Sequence, residues 1–124
     1  MFEKVMQRQP DAQDADRMVW YGFIAFGDRY YFDNLLTAAD GWMQYDTSQD
    51  AWYFGVWVNP KTLQVVTYAE GDVTLEQATS PEAFNRIIDK MNDFYEPAPW
   101  AISIDADGSR TDYYQDRSIF KVEV

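Results

Sequence analysis

Cysteine and histidine are both absent from this chain of 124 residues. Without cysteine there is no disulfide framework and no thiolate nucleophile. Without histidine the commonest general base and the commonest nitrogen ligand for metals are missing. A Ser-His-Asp triad, a Cys-His pair and a zinc site of the usual make-up are therefore excluded. Any catalysis would run on carboxylates, lysine or tyrosine. The six glycines are isolated and form no phosphate-cradling loop of either common type. No apolar run approaches the ~18 residues of a membrane span. Residues 1–10 carry Glu3, Lys4 and Arg8 without the continuous apolar stretch of a signal peptide. The expected setting is the cytoplasm of a bacterium or phage system.

Positive charge is also scarce. Ten Lys and Arg face 21 Asp and Glu, a net charge of −11. The folded surface expected for this mass is near ~7,000 Å², or about one uncompensated negative charge per ~600 Å². Such a field repels nucleic acid and anionic membranes and attracts basic partners. The basic residues form no stripe, so direct nucleic-acid binding is not expected despite the aromatics. Fifteen of the acids are Asp and six are Glu. Asp suits turns and caps better than helix interiors, which predicts negative charge on loops and strand ends.

Hydrophobic residues make up 47% of the chain, enough for one folded domain over residues 1–124. Residues 2–9 can form a short amphipathic turn of helix, and 11–16 read as an exposed connector. The run at 18–26 predicts a strand buried on both faces. Gly27 and Asp28 then offer a turn, and 29–32 a second strand. Asp33 is positioned to cap a helical turn over 34–39 that Gly41 ends. A short strand at 42–45 and a loop at 46–50 lead into a meander over 51–78. Its first strand, 51–58, joins 63–69 through a turn at 59–62. Gly71 and Asp72 fit a type II′ turn into 73–78.

One helix is clearly signalled over 81–95. Ser80 is a good N-cap and Pro81 suits the first helical position. Phe84, Ile87, Ile88, Met91 and Phe94 recur at helical spacing, and Glu82 can pair with Arg86. A hairpin over 100–115 turns at Ala106, Asp107 and Gly108, and 118–124 can add a last strand. An EF-hand reading of the Asp105–Ser109 segment fails on glycine position and on the strand-like flanks. The predicted fold class is α+β: an antiparallel sheet of about 5–7 strands with the helix on one face. A partly closed barrel or a two-layer sandwich is the alternative.

A four-residue turn at 59–62 pairs Val58 with Leu63, Val56 with Val65, Phe54 with Thr67 and Trp52 with Ala69. That face suits the core beneath the helix. The opposite face carries Tyr53, Trp57, Val66, Tyr68, Val73 and Leu75. It is expected to be a second buried layer; a homodimer surface or a ligand-stacking surface using Tyr53, Trp57 and Tyr68 are the alternatives. Extended further, the same register brings Asp50 opposite Gly71. Asp50, Glu70 and Asp72 then share one end of the sheet, with Asp46 close by. Such a corner is an exposed turn, a partner-docking patch, a Mg²⁺ or Ca²⁺ site, or a carboxylate pair for hydrolysis.

The sequence thus favours a non-catalytic protein-interaction module, in one version an acidic mimic of DNA charge that docks on a basic partner. A carboxylate-based or divalent-metal-dependent hydrolase and a small-ligand or sugar-binding module are the alternatives.

Overall fold

A computed structural model describes residues 11–24, 29–45, 54–95, 97, 99 and 101–124. Its elements run β1 (Asp11–Asp14), β2 (Arg17–Phe23), α1 (Arg29–Leu35), β3 (Met43–Gln44), β4 (Phe54–Asn59), β5 (Gln64–Ala69) and β6 (Asp72–Ala78). They continue with α2 (Pro81–Phe94), β7 (Ala101–Ile104) and β8 (Arg110–Tyr113). Short 3-10 helices lie at Ala38–Asp40 and Arg117–Phe120. The first six strands form one sheet in the order β1-β2-β6-β5-β4-β3, with every neighbouring pair antiparallel. The last two strands form a separate two-stranded sheet. The fold is α+β. The sheet is open, with β1 and β3 as its edges, so the barrel alternative is set aside.

Each face of the sheet is buried under a different helix. Val56, Val58, Val65 and Ala78 pack with Ala83, Phe84, Ile87 and Ile88 of α2, and Phe120 joins them. Full burial of Phe84 and Ile88 contributes about 1.5–3 kcal/mol each, which anchors α2 to the sheet. Ser80 caps this helix by accepting from the Ala83 N–H, and Pro81 follows at the first turn. The apolar stripe ends early: Phe94 is 79% exposed. Arg86 pairs with Asp16 and not with Glu82, because β2 begins beside the helix. On the other face Trp57, Val66, Tyr68, Val73 and Leu75 lie under Phe32 and Leu36.

That second layer explains a local difference from the sequence reading. Residues 29–32 are helical, not a strand. Phe32, Leu35 and Leu36 sit at i, i+3 and i+4, so a helix presents them together to the sheet. The 11–16 segment is also more ordered than a connector, since β1 pairs with β2. A polar strand is tolerated there because it is an edge. Strand β2 stops at Phe23, itself 68% exposed, so this run is not buried on both faces. The 118–124 stretch forms no strand. Asp116 caps a 3-10 helix instead, and Asn85 takes both backbone groups of Val122 at 2.8 Å.

The β4–β5 register differs from the expected one by two residues. Phe54 faces Ala69, Val56 faces Thr67 and Val58 faces Val65. The cause is Asn59, the single buried polar side chain among the described residues. Its Oδ1 accepts from the N–H groups of Lys61 and Thr62, and its Nδ2 donates to the Asp40 carbonyl. The turn therefore spans residues 60–63, with Leu63 at φ 61°. An even slip keeps every side chain on its predicted face. The β5–β6 turn is centred on Glu70 and Gly71, both at positive φ, so it is type I′ and not II′.

Candidate docking surface

Ala69 pairs with both Phe54 and Asp72, so the sheet closes its turn there and Gly71 lies beyond the last β4 pair. The sequence-derived pairing of Asp50 with Gly71 does not arise from this register. Asp46 and Asp50 lie outside the described residues. Glu70 and Asp72 are both exposed, and the exposed Phe23 pairs across from Asp72. Among the described residues no group of three or more carboxylates is close enough to hold a metal ion.

The aromatic face is covered. Trp57 is 2% exposed and Tyr68 0%, and Phe32 lies against both, with ring centroids 5.4 and 5.6 Å away. Neither ring offers a free face for stacking a sugar or other ligand. Tyr53 lies outside the described residues. The hydroxyl of Tyr68 finds no hydrogen-bond partner among the described residues.

Five cations among the described residues are engaged within the chain. Arg17 pairs with Glu76, Arg86 with Asp16, Arg110 with Asp112 and Lys121 with Asp89. Arg117 donates to the carbonyls of Asn92 and Tyr95 at the end of α2. Glu70, Asp72, Glu82, Asp93, Asp105 and Glu123 are left at the described surface or in turns without an ion pair. Four cations are thus paired internally, while Lys61 and Lys90 and a larger number of carboxylates face solvent. An open groove of about 330 Å³ runs beside α2, lined by Arg17, Ile87, Lys90, Met91, Phe94 and Tyr95. Its volume is at the low end for small-molecule sites.

The β7–β8 hairpin carries two exposed isoleucines beside charged groups. Its loop is built locally: the Asp105 N–H donates to Ser109, the Gly108 N–H to Asp105, and the Asp107 carboxylate accepts from the Ser109 N–H. Gly108 adopts φ 88°, the left-handed conformation that favours glycine. Ile102 faces Asp112 and Ile104 faces Arg110, so these four share one side of the ribbon. Ile102 is 52% exposed and Ile104 70%. Arg110 Nε donates to Asp112 at 2.7 Å, and the Tyr114 hydroxyl donates to the same carboxylate. One side thus presents an aliphatic row on β7 beside a hydrogen-bonded charged row on β8.

The electrostatics follow these contacts. Hydrogen bonds from the Ser109 side chain and backbone hold the Asp107 carboxyl below its usual pKa. The hydrogen bond from Arg110 does the same for Asp112, and Asp112 in turn raises Arg110. Ser118, through its backbone and side chain, lowers Asp116. These acids therefore stay ionised to lower pH than an isolated Asp. In contrast, burial raises the phenols of Tyr45 and Tyr95.

The sequence marked this hairpin through its Asp-Gly turn. It did not mark the exposure of its isoleucines, since an Ile–Ser–Ile run alternates as any half-buried strand does. No helix among the described residues is long and apolar enough to cross a membrane. Comparison with protein-family models, curated proteins and solved structures gave no match.

Proposed function

We propose that this chain is a non-catalytic interaction module that docks on a basic protein partner in the cytoplasm. One form of that role is occupation of a nucleic-acid-binding groove by a surface that imitates phosphate charge. The observation that carries the reading is the division of charge. Four Arg or Lys side chains are tied to carboxylates of the chain itself, while further carboxylates at the β5–β6 turn, on α2 and along the C-terminal hairpin face solvent. With a net charge of −11, the field outside the molecule is negative, which steers basic partners and raises their association rate.

The test is affinity isolation from the native host, with elution by salt. A specific partner should be retained at about 0.05 M salt and released near 0.3 M, as the screening length shortens. It should carry a basic face, and duplex DNA should compete for that face if the mimic form holds. Retention that is indifferent to salt, or a partner without a basic face, contradicts the proposal.

A further inference from the structure

The β7–β8 ribbon is unusual within this molecule. In the six-stranded sheet the β-branched aliphatics Val56, Val58, Val65, Val66 and Val73 are all buried. In the ribbon Ile102 and Ile104 face water side by side, and no layer of the described fold lies over them. The ribbon pairs with no other described strand, so both of its edges keep unpaired backbone donors and acceptors. A two-stranded sheet is marginal on its own. Here its position is fixed from outside. Arg117 ties the chain after β8 to Tyr95 before β7, and Phe120 is buried under α2. An apolar row is thus held outward on a secured mount.

The charge around that row selects its occupant. Asp112 lies across from Ile102, Asp105 and Asp107 sit in the loop that follows Ile104, and Arg110, the cation in this stretch, is bonded to Asp112. A second copy would bring the same carboxylates against these, and nucleic acid or an anionic membrane would bring phosphates. A surface with Lys or Arg around an apolar depression complements both features. We infer that the β7–β8 ribbon is the docking element: Ile102 and Ile104 enter an apolar depression on a basic protein, whose Lys or Arg side chains meet Asp105, Asp107 and Asp112. This rests on the proposed acidic-docking role and names the site of it. An exposed edge of the ribbon is available to a partner strand, so an extended Lys-rich segment is the simplest form such a surface takes.

The experiment uses the full chain and three labelled peptides of about eight residues, alternating Lys–Val, Lys–Ser and Glu–Val, in fluorescence anisotropy at low salt. The Lys–Val peptide should bind about tenfold more tightly than Lys–Ser, the factor expected from burying roughly one aliphatic side chain. Ile102→Ser with Ile104→Ser should remove that preference, while Ile119→Ser, at another exposed isoleucine, should leave it intact. If the double variant fails to fold, Ile104→Lys at the more exposed position takes its place, with the same expected loss. If the preference survives in the hairpin variants, the ribbon is not the site, although the acidic-docking role stands as long as binding still falls with salt. If neither Lys peptide binds, docking through the ribbon falls, while the acidic-docking role is decided by the salt-dependent isolation of the partner. Equal binding of Glu–Val, or self-association that the hairpin variants abolish, overturns the basic partner in favour of an uncharged occupant or a second copy.

Discussion

The Arg117 guanidinium donates to the Tyr95 carbonyl at 2.7 Å, joining two points of the chain on either side of the β7–β8 hairpin. The same group donates to Asn92 and lies over the Tyr45 ring, 5.0 Å from its centroid. A cation at this end of α2 also meets the negative pole of the helix. Its Nη2 is buried without an acceptor among the described residues, so the fork is only partly used there. Arg117→Ala should cost about 2 kcal/mol, the range for hydrogen bonds from a charged donor. Arg117→Lys should recover part of that. Urea unfolding measures both, and hydrogen exchange should show faster opening of β7 and β8 in the Ala variant. Unchanged stability would contradict this role.

Glu70 occupies a left-handed conformation at φ 49°, next to Gly71 at φ 92°. Type I′ turns favour Asn-Gly, because Asn tolerates that region better than Glu. Glu70→Asn should stabilise the protein by about 0.5–1 kcal/mol. Gly71→Ala should destabilise it, since the backbone is left-handed and the new Cβ would lie 3.3 Å from the Phe23 ring. Thermal unfolding of the two variants should shift in opposite directions.

Tyr68 is fully buried and its hydroxyl lacks a hydrogen-bond partner among the described residues. An unsatisfied buried hydroxyl costs about 1–3 kcal/mol. Tyr68→Phe removes that cost and leaves only a small void. The variant should gain about 1 kcal/mol, or roughly 4 °C in Tm for a domain of this size. A loss of similar size would show that the hydroxyl is hydrogen-bonded.

The hairpin acids set a pH dependence with a definite sign. Asp107, Asp112 and Asp116 have pKa values below the usual 3.8 in the folded chain. Their contribution is present above 3.8 and is lost as pH falls through the lower folded values. The phenols of Tyr45 and Tyr95 lie above 10.0, so their contribution holds below 10 and is lost as pH rises through the higher folded values. NMR titration of the three carboxyls should give midpoints below those of exposed, unbonded Asp. The Ser109 amide should lose its protection over the same range. Coincident midpoints would contradict the hydrogen-bond assignment.

The parts of this fold that rest on local pattern were legible in the sequence. Helix α2 was announced by Ser80, Pro81 and the spacing of Phe84, Ile87, Ile88 and Met91. The described residues of both sheet faces were assigned correctly although the register was off by two, because parity survives an even slip. What was missed depends on distant partners. Asn59 joins the ladder and shifts its turn by one residue, held there by bonds to Lys61, Thr62 and Asp40, and nothing in the Asn-Pro-Lys-Thr run signals that. Helix α1 exists because Phe32 and Leu36 cover the second face, against the strand preference of its aromatics. The acidic corner depended on extending a register four residues past Phe54, and only Glu70 and Asp72 of its four members lie among the described residues. The exposure of Ile102 and Ile104 was invisible, since it is a property of what does not pack on them.

Docking on a basic protein through uncompensated carboxylates makes binding depend on salt. Its most direct measurement is the dissociation constant of the isolated partner complex at two salt concentrations, for the wild-type chain and for Asp105→Asn with Asp107→Asn. Affinity should fall by about tenfold or more between roughly 0.05 and 0.3 M salt, and the variant should bind more weakly with a shallower salt dependence. Equal affinity at both salt concentrations, with the variant indistinguishable from wild type, would contradict it.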